Sequence, residues 1–210
     1  MPKVKPHRTS PSLDMTPMVD LAFLLVTFFM LTTKFAPDEV VVVDTPSSIS
    51  TIKLPESNVV TITVDKNKRV FISSDAKDVK ELALQQVGTK YGVKFTAEEK
   101  RTFGNLSSFG FPINQATQLL DTETEERKQL LKAAPGLPTD SLNNQLVDWV
   151  LALRQANQSL RNGKAPYIAI KGDGGADVPT VQKIIKDLQD REINRFNLIT
   201  DLEAKPVVSR

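Results

Sequence analysis

The sequence predicts an α+β protein: one N-terminal transmembrane helix, then a small two-layer α/β domain that carries a helical insertion. Three observations predict it. A single apolar run lies between residues 15 and 33. Val59 to Asp65 alternates apolar and polar residues at the period of a strand, and residues 166–200 read strand–helix–strand. The 210 residues divide accordingly into a tail over 1–13, the membrane helix over 14–34, a linker with a short strand over 35–58 and the folded domain over 59–210, with the insertion at about 89–163.

Composition removes several function classes. There is no cysteine, so thiol catalysis, disulfides and cysteine metal sites are excluded. The one histidine, His7, sits in a proline-broken tail, which leaves no basis for histidine acid–base chemistry or a multi-histidine metal site. A net charge of +2 gives no reason to expect nucleic acid. No catalytic triad, metal cluster or diagnostic acid pair stands out. The reading is a non-enzymatic protein without cofactor or metal.

The membrane helix follows the tail MPKVKPHRTSPSL, whose Lys3, Lys5 and Arg8 place the N-terminus in the cytoplasm. Everything after Lys34 then lies outside, which in a Gram-negative source is the periplasm. As a helix, Met15 to Thr33 is about 28 Å long, close to the hydrocarbon thickness of a bilayer. Asp14 is placed to cap it, Thr16 and Pro17 suit its first turn, and Lys34 can snorkel at the far end. A cleaved signal peptide fits poorly, since TTKFAPDE lacks a small-residue cleavage site.

Within this run stands Asp20. A carboxylate inside a membrane span costs about 2.5–3.5 kcal/mol on insertion scales, and such residues usually face a bundle interior or a proton path. Thr16, Asp20, Leu24 and Thr27 share one helix face at spacings of four and seven residues. Two hydroxyls flanking a carboxylate could hold a short water chain. The alternative is that Asp20 only complements the helix N-terminal dipole, a place Asp14 already fills. A polar stripe facing lipid is unfavourable, so the stripe implies partner helices from a second copy, another protein, or both.

In the exported part, the VVVV run at 40–43 reads as a short strand on a Pro/Ser-rich linker. Lys66-Asn67 turns the strand at 59–65 back into Arg69 to Ser73, a hairpin. Asp78 to Val87 is a helix with apolar residues at 79, 82, 83 and 87 and Gly88 as its stop. Asp177 caps a helix with Pro179 early in it and Val181, Ile184, Ile185 and Leu188 as its buried stripe. It runs between strands at 166–171 and 196–200. GDGGADVP lacks the spacing of a phosphate-binding loop and reads as a turn. In the insertion, Thr96/Glu99 and Thr122/Glu125 have capping-box spacing, and AAPGLPTD breaks a helix. Leu142, Leu146, Val150 and Leu153, with Trp149 close by, mark a longer helix. Carrying its own caps and stripe, the insertion is expected to pack on the sandwich as a satellite.

DMTPMVDLAFLLVTFFMLTT resembles the membrane segment of the ExbD/TolR family, with its (D/N)-x-T-P-x-(I/V)-D pattern before an apolar run. IKLPES with VVTITVDKNKRVFI, and APYIAIKGDGGADVPTVQKIIKDLQDREINRFNLIT, are similar to the family's first exported strands and its closing strand–helix–strand. Between them the resemblance lapses. It implies that Asp20 carries protons within a ring of ExbB/TolQ-like polytopic subunits, beside a second copy of this chain. The implied work is use of the proton motive force to energise TonB-dependent outer-membrane transport from the inner membrane. A TonB-like protein and peptidoglycan are the implied partners outside. TolR-like envelope maintenance and a non-energised, membrane-anchored adaptor stay open as alternatives.

Overall fold

A computed structural model describes residues 15–32, 47–48, 57–140, 143–172, 177–199 and 201–202. They belong to two units, one ending at Pro37 and the other beginning at Asp38. The first unit contributes α1 (Thr16–Thr32), a helix of 17 residues. Among the described residues no helix is long and apolar enough to cross a membrane. The expected span over 14–34 is therefore described only as far as α1 reaches; the tail, Asp14 and Lys34 lie outside the described residues.

The second unit runs β1 (Ser47–Ser48), β2 (Val59–Val64), β3 (Val70–Ser74), α2 (Lys77–Tyr91), α3 (Ala97–Asn105) and β4 (Ser108–Phe109). A 3-10 turn at Ile113–Gln115 leads into α4 (Ala116–Asp121), α5 (Thr124–Lys132), β5 (Thr139–Asp140), β6 (Asn143–Asn144) and α6 (Gln145–Leu160). The chain closes with β7 (Tyr167–Gly172), α7 (Val178–Gln189), β8 (Phe196–Ile199) and β9 (Asp201–Leu202). Five strands form the main sheet in the order β4-β3-β2-β7-β8. Its α+β character is as predicted. β2 and β3 are antiparallel, whereas β7 lies parallel to both β2 and β8.

The alternation in β2 sets the register. Val60, Ile62 and Val64 are buried, and Ile62 lies opposite both Ile72 of β3 and Ile170 of β7. These side chains therefore point to one face of the sheet, where the helices pack. The hairpin turn falls at the predicted place and is held by the buried Asp65. Its carboxylate accepts from the Asn67 N–H at 2.8 Å, the Arg69 N–H at 2.9 Å and Arg69 Nε at 2.7 Å. Lys68 completes the turn at a φ of 62°.

Several sequence expectations are corrected here. Gly88 does not stop α2; Gly92, in the left-handed region, does. A Cβ on Gly88 would come within 2.6 Å of the Val93 carbonyl oxygen and 2.8 Å of the Phe95 ring, because the chain folds back across the helix after Gly92. Leu84, not Leu82, is the fully buried leucine of this helix. Thr96 and Glu99 do form a capping box on α3. Thr122 and Glu125 do not: α5 starts at Thr124 behind Glu123, and the Thr122 hydroxyl donates to the Gln118 carbonyl instead. Removing the α3 cap with Thr96→Ala is expected to cost about 1 kcal/mol, read by chemical denaturation of the solubilised chain.

The insertion is not a satellite. Phe103 of α3, Phe109 of β4, Phe111 and Trp149 of α6 are all buried in one cluster with Ile62, Ile72 and Ile170 of the sheet. Trp149 stacks on Phe103 with ring centroids 5.3 Å apart and lies 4.7 Å from Phe109. Leu146, Val150 and Leu153 are buried beside it as predicted, while Leu142 lies outside the described residues. The predicted helix break at AAPGLPTD docks on the hairpin. There Gly136 N–H donates to the Gly110 carbonyl and Leu137 N–H to the Val70 carbonyl. An apolar stripe announces a buried helix face but not what the face meets; here it meets the sheet's own core.

Lys80 of α2 is a buried cation, 3% exposed, whose Nζ donates to the Leu106 carbonyl just after α3. Burial, then the neighbouring Lys77, pulls its pKa down to about 8 against an opposing pull from Asp75. The folded state thus holds this proton less tightly than the unfolded chain, so the cost of burying the charge is fully present below pH 8. Stability is expected to rise between pH 8 and 10.5, by at most about 1.4 kcal/mol per pH unit. Urea unfolding followed by the single tryptophan should show the rise, and Lys80→Met should flatten it.

Candidate functional site: the Asp20 face of the N-terminal helix

Helix α1 is built from residues that leave its backbone little alternative. Pro17 stands in the first turn, where its missing N–H costs no hydrogen bond. The Met15 carbonyl accepts from the N–H groups of Met18 and Val19, both at 3.1 Å, and so opens the ladder. From Met18 to Leu31 every large apolar side chain is exposed, Leu25 least at 45%. No residue of α1 is buried. A helix that is apolar all round requires lipid or other helices around it.

Asp20 stands on this surface, and its carboxylate takes no hydrogen bond or ion pair from the described residues. Thr16, Asp20, Leu24 and Thr27 share one face, as predicted, but the face does not bring the polar groups into contact. Seven residues of helix separate Asp20 from Thr27, about 10 Å along the axis. The Thr27 hydroxyl donates to the carbonyls of Phe23 at 3.0 Å and Leu24 at 2.9 Å. Its proton is committed to the helix, and only its lone pairs remain for a water or a neighbouring group. Thr32 does the same with Phe28 at 2.8 Å. Asp20 is therefore the single group on α1 able to exchange a proton, with Thr27 an acceptor about two turns away.

In the second unit, the VVVV run at 40–43 lies outside the described residues. Four residues farther on, β1 pairs in parallel with β9, at Ser47–Asp201 and Ser48–Leu202. Of the glycines of GDGGADVP, Gly172 ends β7 and Gly174 and Gly175 lie outside the described residues, but Asp177 caps α7 as predicted, accepting from the Thr180 N–H and hydroxyl. Those bonds, with Lys68 at 3.3 Å, hold the Asp177 carboxyl below the usual carboxylate range. No sequence pattern announces the cleft at one end of the sheet, where Arg154, Lys164 and Arg195 converge. They lie on different elements, and no spacing pattern links them.

Comparison with curated proteins and with solved structures finds no match to this chain. Residues 6–96 match the family model of the biopolymer transport protein ExbD/TolR. The matched stretch takes in the Asp20 face, the β2–β3 hairpin and α2, and ends at the Thr96 cap of α3. Through the segment that holds its candidate site, the chain is similar to the ExbD/TolR family.

Proposed function

We propose that this chain is the proton-carrying subunit of an inner-membrane motor that energises transport across the cell envelope. Similarity to the family supports an energising role in biopolymer transport. The observation that carries the finer reading is Asp20, an ionisable side chain without a partner among the described residues, on a helix whose large apolar side chains are all exposed. On this reading the apolar run of the sequence, of which α1 is the described part, spans the bilayer. The helices it requires come from a second copy and from an ExbB/TolQ-like polytopic protein. Alternate protonation of Asp20 from the two sides then couples flow to movement. Each proton crossing about 100 mV releases about 2.3 kcal/mol, and each unit of pH gradient adds about 1.4 kcal/mol. The exported domain, a non-enzymatic module, passes the work to a TonB-like protein serving outer-membrane uptake, with peptidoglycan as its anchorage.

The test is purification of the tagged chain from its native membranes in mild detergent. A polytopic partner is expected to come with it, together with an untagged second copy. Isolation of the chain alone, from cells whose energised uptake depends on it, would favour the adaptor reading. Thr27→Ala is expected to lower energised uptake only partially, because its hydroxyl proton is already spent on the helix and a water can replace an acceptor.

A further inference from the structure

The cleft at one end of the sheet has a volume of about 800 Å³, within the range of binding sites. It opens where β2, β7 and β8 begin, beside the C-terminal half of α6. Its apolar part comes from Ile168, Phe196 and Tyr167, the last 54% exposed. Its wall is fixed: the Tyr167 N–H donates to the Asn58 carbonyl, and the Asn58 side chain donates to the Ala165 carbonyl.

Three cations line it, Arg154 half-buried and Lys164 and Arg195 exposed, against one acid, Glu192. None of the three makes an ion pair or a side-chain hydrogen bond with a described residue. Elsewhere in this unit cations do find partners: Arg69 with Asp65, Lys90 with Asp148, Arg161 with Asp78. Three cations set against one acid around a concave, partly apolar surface raise the local concentration of anions. β8, which starts at the cleft, ends the sheet and pairs with no described strand on its outer side. An extended main chain could hydrogen-bond there, its alternate side chains reaching into the cleft. The amides of Asn194 and Asn197 add donors and acceptors suited to peptide groups.

We propose that this cleft binds an acidic, extended peptide segment of a partner protein, with Arg154, Lys164 and Arg195 reading its carboxylates. The proposal concerns the exported domain and does not depend on Asp20. It is tested on the full chain in a neutral detergent, by fluorescence anisotropy of a dye-labelled peptide of alternating Glu and Val. Binding is expected, weakening as salt rises. The triple variant Arg154→Gln/Lys164→Gln/Arg195→Gln should weaken it about tenfold or more. A control triple at exposed cations elsewhere, Lys66→Gln/Arg101→Gln/Lys186→Gln, should not, and the matching Gln/Val peptide should not bind. Tryptophan fluorescence checks that both triples remain folded. The proposal is overturned if the acidic peptide fails to bind, if the two triples lose affinity equally, or if the Gln/Val peptide binds as well. Cleft-dependent binding of inorganic polyphosphate without binding of the peptide would likewise overturn it, as a site for a different anion.

Discussion

Asp20→Asn is expected to leave the chain inserted and assembled and to abolish energy-dependent uptake. Asparagine matches the carboxylate in size and keeps hydrogen-bonding capacity, but it has no proton to exchange at physiological pH. Because Asp20 makes no bond to a described residue, its replacement removes no hydrogen bond or ion pair among them. Insertion should become easier, since an ionisable group leaves the apolar run. Asp20→Glu keeps the chemistry but moves the carboxylate outward by about one methylene, and misplacement on that scale can cost about a hundredfold in rate. It should be impaired to an intermediate or severe degree. The measurement is energised uptake in cells where the variant is the only copy, with its membrane level checked by immunoblot. Full uptake by Asp20→Asn would sink the proton-carrier reading and promote the anchored adaptor.

What was legible in the sequence follows a physical divide. Local chemistry was readable: the β2–β3 hairpin from its alternation, the α3 cap from Thr96 and Glu99, α7 from Asp177 and its stripe, and the Asp20 face from simple helical spacing. Each of these is decided within a few residues of chain. Features fixed by distant contacts were not readable. Gly88 looks like a helix stop because nothing local reveals that Val93 and Phe95 fold back onto it. Thr122 has capping-box spacing to Glu125, yet α4 claims its hydroxyl and α5 begins two residues later. The cleft cations come from α6, the loop before β7 and the loop before β8, which only the finished sheet brings together. The insertion shows the divide most clearly: α6 is recognisable as a helix from its stripe, but its place in the core is set by contacts with the sheet and α2.

That correction reverses an expectation about deletion. Replacing residues 90–162 with a short Gly/Ser linker would suit a satellite, but here it should leave the second unit unfolded. The deletion removes α6, which packs along α2, and β4, which borders β3. It would expose Leu84 and Val87 of α2 with Ile62 and Ile72 of the sheet, all now 2% exposed or less. It would also take away Phe103, Phe109, Phe111 and Trp149 together. Truncation of one such aromatic residue costs about 3–5 kcal/mol, against about 5–15 kcal/mol for the stability of a whole domain. Trp149→Ala alone is thus expected to remove much of the stability, and the full deletion all of it. Trp149→Phe should be mild, about 1.5 kcal/mol or less, because it keeps most of the packing and removes an indole N–H that has no hydrogen-bond partner among the described residues. Thermal melts followed by far-UV circular dichroism on the solubilised full-length variants separate the three. A deletion variant that melts cooperatively at the wild-type temperature would restore the satellite view, and equal losses for Trp149→Ala and Trp149→Phe would show that the ring's packing is not what stabilises the core.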